Sequence, residues 1–282
     1  MSDLPDGYDL GACEHFLRGL GASGTAFLPV AEAALALASF ERPRVGLGRY
    51  ARHLDAIAHD VGRHAGAAGA IEEHLRALNE IILLKYGYSG DELTYDDPQN
   101  ANLMRVVDRR KGLPVALGIL YLHAARAQGW DAVGLAFPGH FLIRVTEGPE
   151  RLIVDPFHNG TVCDAARLRD LLKATAGQDV DLAPDHYAPV ADRDILLRLQ
   201  NNIKSRHAQA GRYEPALRIV DTMLMLAPDL IELWRESGVL HARIGNMRAA
   251  MDALGEFVAR APDGVERHQA AAMLQQLKTK LN

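Results

Sequence analysis

Four residues near the C-terminal end recur with their spacing intact: Gly211, Ala216, Pro228 and Asp229 return as Gly245, Ala250, Pro262 and Asp263, each 34 residues later. The chemistry at those positions describes a helix-turn-helix unit. Glycine breaks the first helix of a pair, a small alanine lets two helices approach, and proline ends the second. The turns read Gly-Arg-Tyr-Glu-Pro-Ala-Leu and Gly-Asn-Met-Arg-Ala-Ala-Met, and the second-helix ends read LAPD and RAPD. This part of the chain is therefore expected to be a stack of antiparallel helices.

A 34-residue step is the tetratricopeptide period, and it gives two repeats plus a closing helix near Gly264–Leu281. About three repeats are usually needed for a self-sufficient stack, so this array should lean on the rest of the protein. The full length of 282 residues accommodates two domains, and 48% hydrophobic with 24% charged residues is the balance of a folded globular chain. The segment Leu168–Asp192, polar and proline-bearing, reads as the connector, which divides the chain into 1–191 and 192–282.

With 31 Lys+Arg against 36 Asp+Glu, the net charge of −5 gives no global attraction to nucleic acid or anionic membranes. The longest apolar runs, Val115–Tyr121 and Ala33–Ser39, fall short of the ~18–20 residues that cross a bilayer. The opening MSDLPDGYDLG lacks the basic start and apolar core of an export signal. Cys13 and Cys163 form neither a spaced metal set nor a disulfide framework. These features predict a cytoplasmic protein with no nucleic-acid or membrane partner.

Upstream, Leu47, Tyr50, Leu54, Ile57 and Val61 advance by threes and fours, as do Ile71, Leu75, Leu78 and Ile82, predicting two amphipathic helices. The stretch from Tyr86 to Asn100, YGYSGDELTYDDPQN, is a polar loop. A short helix follows in ANLMRVVDRR, and Pro114 then suits the first position of PVALGILYLHAARAQ, apolar on nearly all sides and so expected at the centre of its domain. From Asp131 the runs DAVGLAF, HFLIRVT and RLIVDPF read as strands, the last two as a hairpin around Gly148. With an even-numbered loop, His140 and Asp155 project from one face, opposed or one diagonal apart.

An apolar helix followed by a strand histidine and a next-strand aspartate is the layout of thiol enzymes, in which a cysteine at the helix start gains thiolate character from the helix dipole and a nearby imidazole. Without a family, the His140–Asp155 pair reads first as a structural hydrogen bond fastening two strands and only second as a catalytic dyad. In the polar loop and the short helix after it, Tyr95, Asp97, Asn100, Arg109 and Arg110 are candidate binding residues around the same cleft; Asp97 and Asn100 also read as turn or N-cap groups, and the arginines as partners of nearby carboxylates. Cys163 reads as a small apolar residue rather than a reactive thiol, and Tyr121 as a packed aromatic. Asp55/His59 and Asp60/His64 lie at i, i+4 spacing on faces about 140° apart, so one ion could not collect both pairs, and no metal site is expected. The chain contains no GxxxxGK, no GxGxxG after a strand and no GxSxG, so no cofactor is expected.

The run LNEIILLKYGYSGDELTYDDPQNANLMRVVDRRKGLPVALGILYLHAARAQGW, then LAFPGHFLIRV and LIVDPFHNG, resembles the bacterial SirB-type proteins, in which a transglutaminase-like domain precedes tetratricopeptide repeats. The resemblance is close over Leu78–Gly160 and agrees with the repeat tail. It implies an α+β fold: N-terminal helices, a papain- or transglutaminase-like core with a central helix against an antiparallel sheet, and an all-α C-terminal region. It also implies that His140 and Asp155 match the histidine and aspartate of the transglutaminase triad. Counting back from Gly129, which resembles the glycine ending the catalytic helix, the cysteine position falls on or beside Pro114. Leu113, Pro114, Val115 and Ala116 offer no thiol, hydroxyl or amine, and proline lacks the N–H that could serve an oxyanion.

The expected function is therefore a pseudoenzyme that binds a protein or peptide partner through its repeats and residual cleft. The alternative is a hydrolase or acyl-transfer enzyme in which His140, oriented by Asp155, acts as general base with a non-cysteine nucleophile. In a third reading the pair only fastens its strands.

Overall fold

Helix formation upstream of Pro114 follows the apolar spacing. In the computed structural model, which describes residues 9–66, 69–177 and 180–281, the chain opens with helices α1 (Leu10–Ala22), α2 (Val30–Ser39), α3 (Gly48–Ala65) and α4 (Ile71–Asn79). Residues 1–8, which include most of the segment read for an export signal, lie outside the described residues. Tyr50, Leu54, Ile57 and Val61 of α3 are buried on one stripe. The second amphipathic segment differs from expectation: α4 widens into a π-helical turn at Glu80–Lys85, which still buries Ile81 and Ile82.

Two short strands, β1 (Ser89–Gly90) and β2 (Lys111–Gly112), pair in parallel and bracket the polar loop, the 3₁₀ turn Pro98–Ala101 and α5 (Leu103–Arg109). Helix α6 (Pro114–Arg126) starts with proline at its first turn, and 11 of its residues, Pro114 through Leu122 with Ala124 and Ala125, are buried. Beside it lies an antiparallel sheet ordered β3 (Asp131–Leu135), β4 (Leu142–Glu147), β5 (Glu150–Asp155) and β6 (Thr161–Val162). A Cβ added to Gly118 of α6 would fall 2.4 Å from a Phe141 ring carbon, and one on Gly134 of β3 would fall 2.8 Å from the same ring. Two glycines thus let helix and sheet close on one phenylalanine.

The segment expected as a connector is instead packed. Helix α7 (Ala165–Ala176) buries Leu168 and Leu172 against Leu135, Phe137, Leu142 and Cys163, and Val180, Leu182 and Tyr187 cover the same cluster. Pro189 bridges to Leu135, and Asp192 at the start of α8 (Asp192–Gln209) is buried. Widely spaced apolar residues within a polar stretch produced the linker-like sequence.

The chain forms two compact units, one comprising residues up to Cys13 with Thr25–Leu199, the other Glu14–Gly24 with Gln200–Asn282. The second unit contains α9 (Tyr213–Leu226), α10 (Ile231–Arg243), α11 (Met247–Arg260) and α12 (Val265–Leu281). Its repeat is visible bond by bond. Arg212 N donates to His207 O at 2.8 Å and Asn246 N to His241 O at 2.9 Å; Ala227 N donates to Met223 O and Ala261 N to Phe257 O. Gly211 and Gly245 take φ of 69° and 84°, the left-handed conformation that ends a helix, and Ala216 and Ala250 are fully buried. The second half of α1 joins this unit from the opposite end of the sequence, and a Cβ on Gly21 would lie 2.1 Å from Met225 O. Among the described residues, no helix is long and apolar enough to cross a membrane.

Candidate functional site

The β4–β5 hairpin turns on two residues, Gly148 and Pro149, with Glu147 opposite Glu150. Asp155, the last residue of β5, is then one diagonal from His140, which lies two residues before β4. His140 Nε2 stands 2.9 Å from Asp155 Oδ1. The other oxygen, Oδ2, is 2.6 Å from Nδ1 of His158, and the backbone N–H groups of Phe157 and His158 also donate to Oδ1.

Asp155 is wholly buried, which alone would raise its pKa; hydrogen bonds and charge from His140, then from His158, outweigh that and bring it down to about 2. An ionised carboxylate only accepts, so the hydrogens sit on His140 Nε2 and His158 Nδ1. The two imidazoles stack 5.6 Å apart with planes at 24°, and the Phe157 ring meets both edge-on. His140 is 6% exposed, whereas the His158 side chain is 38% exposed.

Sequence reasoning named His140 and Asp155 and did not place His158 with them. The signal was present in DPFHNG, where Asn159 and Gly160 take φ of 57° and 62° and turn His158 back over the aspartate. That turn is held from below: Asn79 Nδ2 donates to Gly160 O, and the Tyr121 hydroxyl donates to Asn79 Oδ1 at 2.8 Å. Burial, then the nearby Asp155 charge, raises the Tyr121 pKa, so the phenol stays protonated as a donor. Arg198 of α8, which sequence reasoning passed over, donates to His140 O at 2.6 Å and to Phe137 O, with its guanidinium 5.8 Å from the Phe141 ring centre. It holds the backbone that carries His140.

The start of α6 presents Leu113, Pro114, Val115 and Ala116, all buried and apolar. Cys163 lies beside the cluster with its Sγ 3.8 Å from Thr161 O; burial, then the Asp155 charge, pushes its thiol up to about 11. A thiol in that state is a poor nucleophile.

The five candidate binding residues separate. Tyr95 meets Phe157 edge-on at 5.7 Å and so stands at the rim of the histidine cluster. Asp97 caps the 3₁₀ turn by accepting from Gln99 N. Asn100 is fully buried, donating to Thr94 O and accepting from Arg109, whose other nitrogen donates to Asp91 Oδ2 at 2.8 Å. Arg110, at φ 60°, turns the opposite way to His53 and the Tyr88 hydroxyl. These four hold the loop to its scaffold. On α3, Asp60 accepts from Lys85 and the Tyr86 hydroxyl, and His64 pairs with Glu80.

Comparison with known proteins agrees with this layout. A family model described as the transglutaminase-like superfamily matches residues 48–201, and one for the tetratricopeptide repeat matches 203–275. The UPF0162 protein of Xylella fastidiosa (strain Temecula1) is 30% identical over 237 residues, covering 82% of this chain and 83% of that protein. Protein SirB1 of Salmonella typhimurium is 24% identical over 194 residues, 68% of this chain and 71% of its own length. F-box only protein 21 of Homo sapiens is 26% identical over 182 residues, 61% of this chain but 28% of that longer protein.

Proposed function

We propose that this chain, which belongs to the transglutaminase-like superfamily in its SirB-type form, is a non-catalytic cytoplasmic binding protein that receives a peptide or helix from a partner protein. A transglutaminase-like region joined to tetratricopeptide repeats fits a protein-interaction role. The observation that carries the reading is a groove of about 1090 Å³ in the second unit, where Leu224, Met251 and Trp234 lie beside the carboxylates of Asp252 and Glu256. An apolar floor with charged edges suits an amphipathic segment. The apolar start of α6, at the position matching the superfamily's cysteine, supports the non-catalytic half.

Cutting the chain at residue 192 is a poor test, because Asp192 is a buried partner of Arg126 and the second unit includes part of α1. Charge reversal of the exposed Asp252 and Glu256 to lysine leaves the buried contacts in place. In quantitative affinity capture from native lysate, the double variant is expected to lose at least ~10-fold in recovery of whatever the unaltered chain retains, as for truncation of an interface anchor. Equal recovery by a folded variant refutes the groove.

One observation favours a hydrolase or acyl-transfer reading: an ionised, buried Asp155 holds His140 by its Nε2, the orienting carboxylate that a histidine general base requires. Turnover of a screened ester or amide, abolished by His140→Ala, would establish it.

A further inference from the structure

We infer that His140, Asp155 and His158 form a binding site for one divalent first-row transition ion such as Zn²⁺, with Nε2, a carboxylate oxygen and Nδ1 as ligands. The three donor atoms lie within 4.8 Å of one another, the one such group of His, Cys, Asp or Glu among the described residues. Two imidazoles and one carboxylate are the ligand types that zinc, iron and cobalt share, and the absence of further oxygen donors disfavours calcium and magnesium. Three protein ligands on one side leave the other side of the ion open.

The geometry requires an adjustment. Around an ion with bonds of roughly 2.0–2.1 Å, neighbouring donors stand roughly 2.8–3.4 Å apart in octahedral to tetrahedral arrangements. His140 Nε2 stands 2.9 Å from Asp155 Oδ1 and His158 Nδ1 2.6 Å from the other oxygen, Oδ2, with the three donors within 4.8 Å of one another, so His158 must shift to bring its nitrogen to the ion that the other two donors share. His158 is the member able to do so, because its ring is 38% exposed and stands on the turn at Asn159 and Gly160. His140 and Asp155 are held, the former through Arg198 on its carbonyl and the latter through the N–H groups of Phe157 and His158. Those N–H donors are the outer hydrogen bonds that orient a ligating carboxylate.

The sequence excluded a metal on the separate acid–histidine pairs of α3 and did not weigh this trio, whose third member depends on the turn after β5. The inference is independent of the groove, since every ligand lies in the first unit.

The test is isothermal titration of Zn²⁺ into the tag-free full chain after chelator treatment and dialysis, with Co²⁺ visible absorption as the coordination signature. One Zn²⁺ per chain is expected, with His158→Gln and Asp155→Asn each weakening it at least ~100-fold, the upper range for removing groups that merely orient ligands. His59→Gln is expected to change nothing. Should Asp155→Asn fail to fold, His158→Gln alone decides, since its ring is partly exposed and stands on a turn beyond β5. Absence of binding, or binding of unaltered affinity in His158→Gln, overturns the site.

Discussion

Replacing Asp192 by alanine tests the packing that follows from moving the supposed connector into the first unit. The carboxylate is 2% exposed and receives Arg126 as a fork, Nη1 on Oδ2 at 2.7 Å and Nη2 on Oδ1 at 2.9 Å, while Leu28 N donates to Oδ2 at 2.7 Å. Removing one member of a buried pair typically costs ~3–5 kcal/mol, because the other charge is left without compensation. Arg126 is 21% exposed and keeps its bond to Ala132 O, so water relieves part of that cost and the lower end applies. About 3 kcal/mol in a unit of this size corresponds to a Tm lower by ~6–12 °C. Trp130 belongs to the first unit and Trp234 to the second, so fluorescence in a Trp234→Phe background follows the first unit alone. Urea and thermal unfolding of that pair of proteins give the difference directly. A loss below ~1 kcal/mol would mean that the fork is an ordinary surface ion pair and that the segment before α8 is loosely attached.

Two further outcomes follow from protonation. His53 titrates at about 4 instead of 6.5, through burial and then the charge of Arg110, so between those values the unfolded chain takes up a proton that the folded chain refuses. Stability is full above pH ~6.5 and falls as pH drops through this window; the urea midpoint of His53→Gln should show a flatter profile there, and an unchanged slope would sink the assignment. Cys163, with its thiol at about 11, and Cys13, also raised by burial, should react with a thiol reagent at pH 8 only after unfolding; rapid modification of the native chain would instead mark a reactive thiol.

What the sequence disclosed was local. Pro114 at a helix start, Gly211 and Gly245 as helix ends, and the two-residue hairpin loop each depend on neighbours within a few positions, and the paired strands brought His140 to Asp155 through parity alone. Asp97 likewise capped its own turn. The remainder depended on distant partners. Nothing near residues 14–24 announces that they complete a helical stack some 200 residues away, and Val180, Leu182 and Tyr187 look like loop residues until β3 and α7 supply a surface for them. The separation of Arg109 from Arg110 hinges on a single left-handed residue, which adjacency in sequence conceals.

His158 is the residue that separates the readings of the cluster. If Asp155 served only to fasten β4 to β5, His140 with the strand ladder would suffice, because His158 stands beyond the end of β5 and its ring bonds a carboxylate of that same strand. A partly exposed imidazole there contributes little burial, yet it supplies a further hydrogen bond to a carboxylate already bonded to His140 and two N–H groups. Fastening therefore predicts that His158→Gln is nearly neutral in stability and leaves no other trace. A general base on His140 predicts altered turnover and pH profile, since losing one imidazole shifts the field on the other through their shared carboxylate. An ion site predicts lost Zn²⁺ affinity with stability unchanged in the metal-free chain. One substitution at this partly exposed position, measured by unfolding, turnover and titration, thus assigns the cluster without replacing either member of the buried pair beneath it.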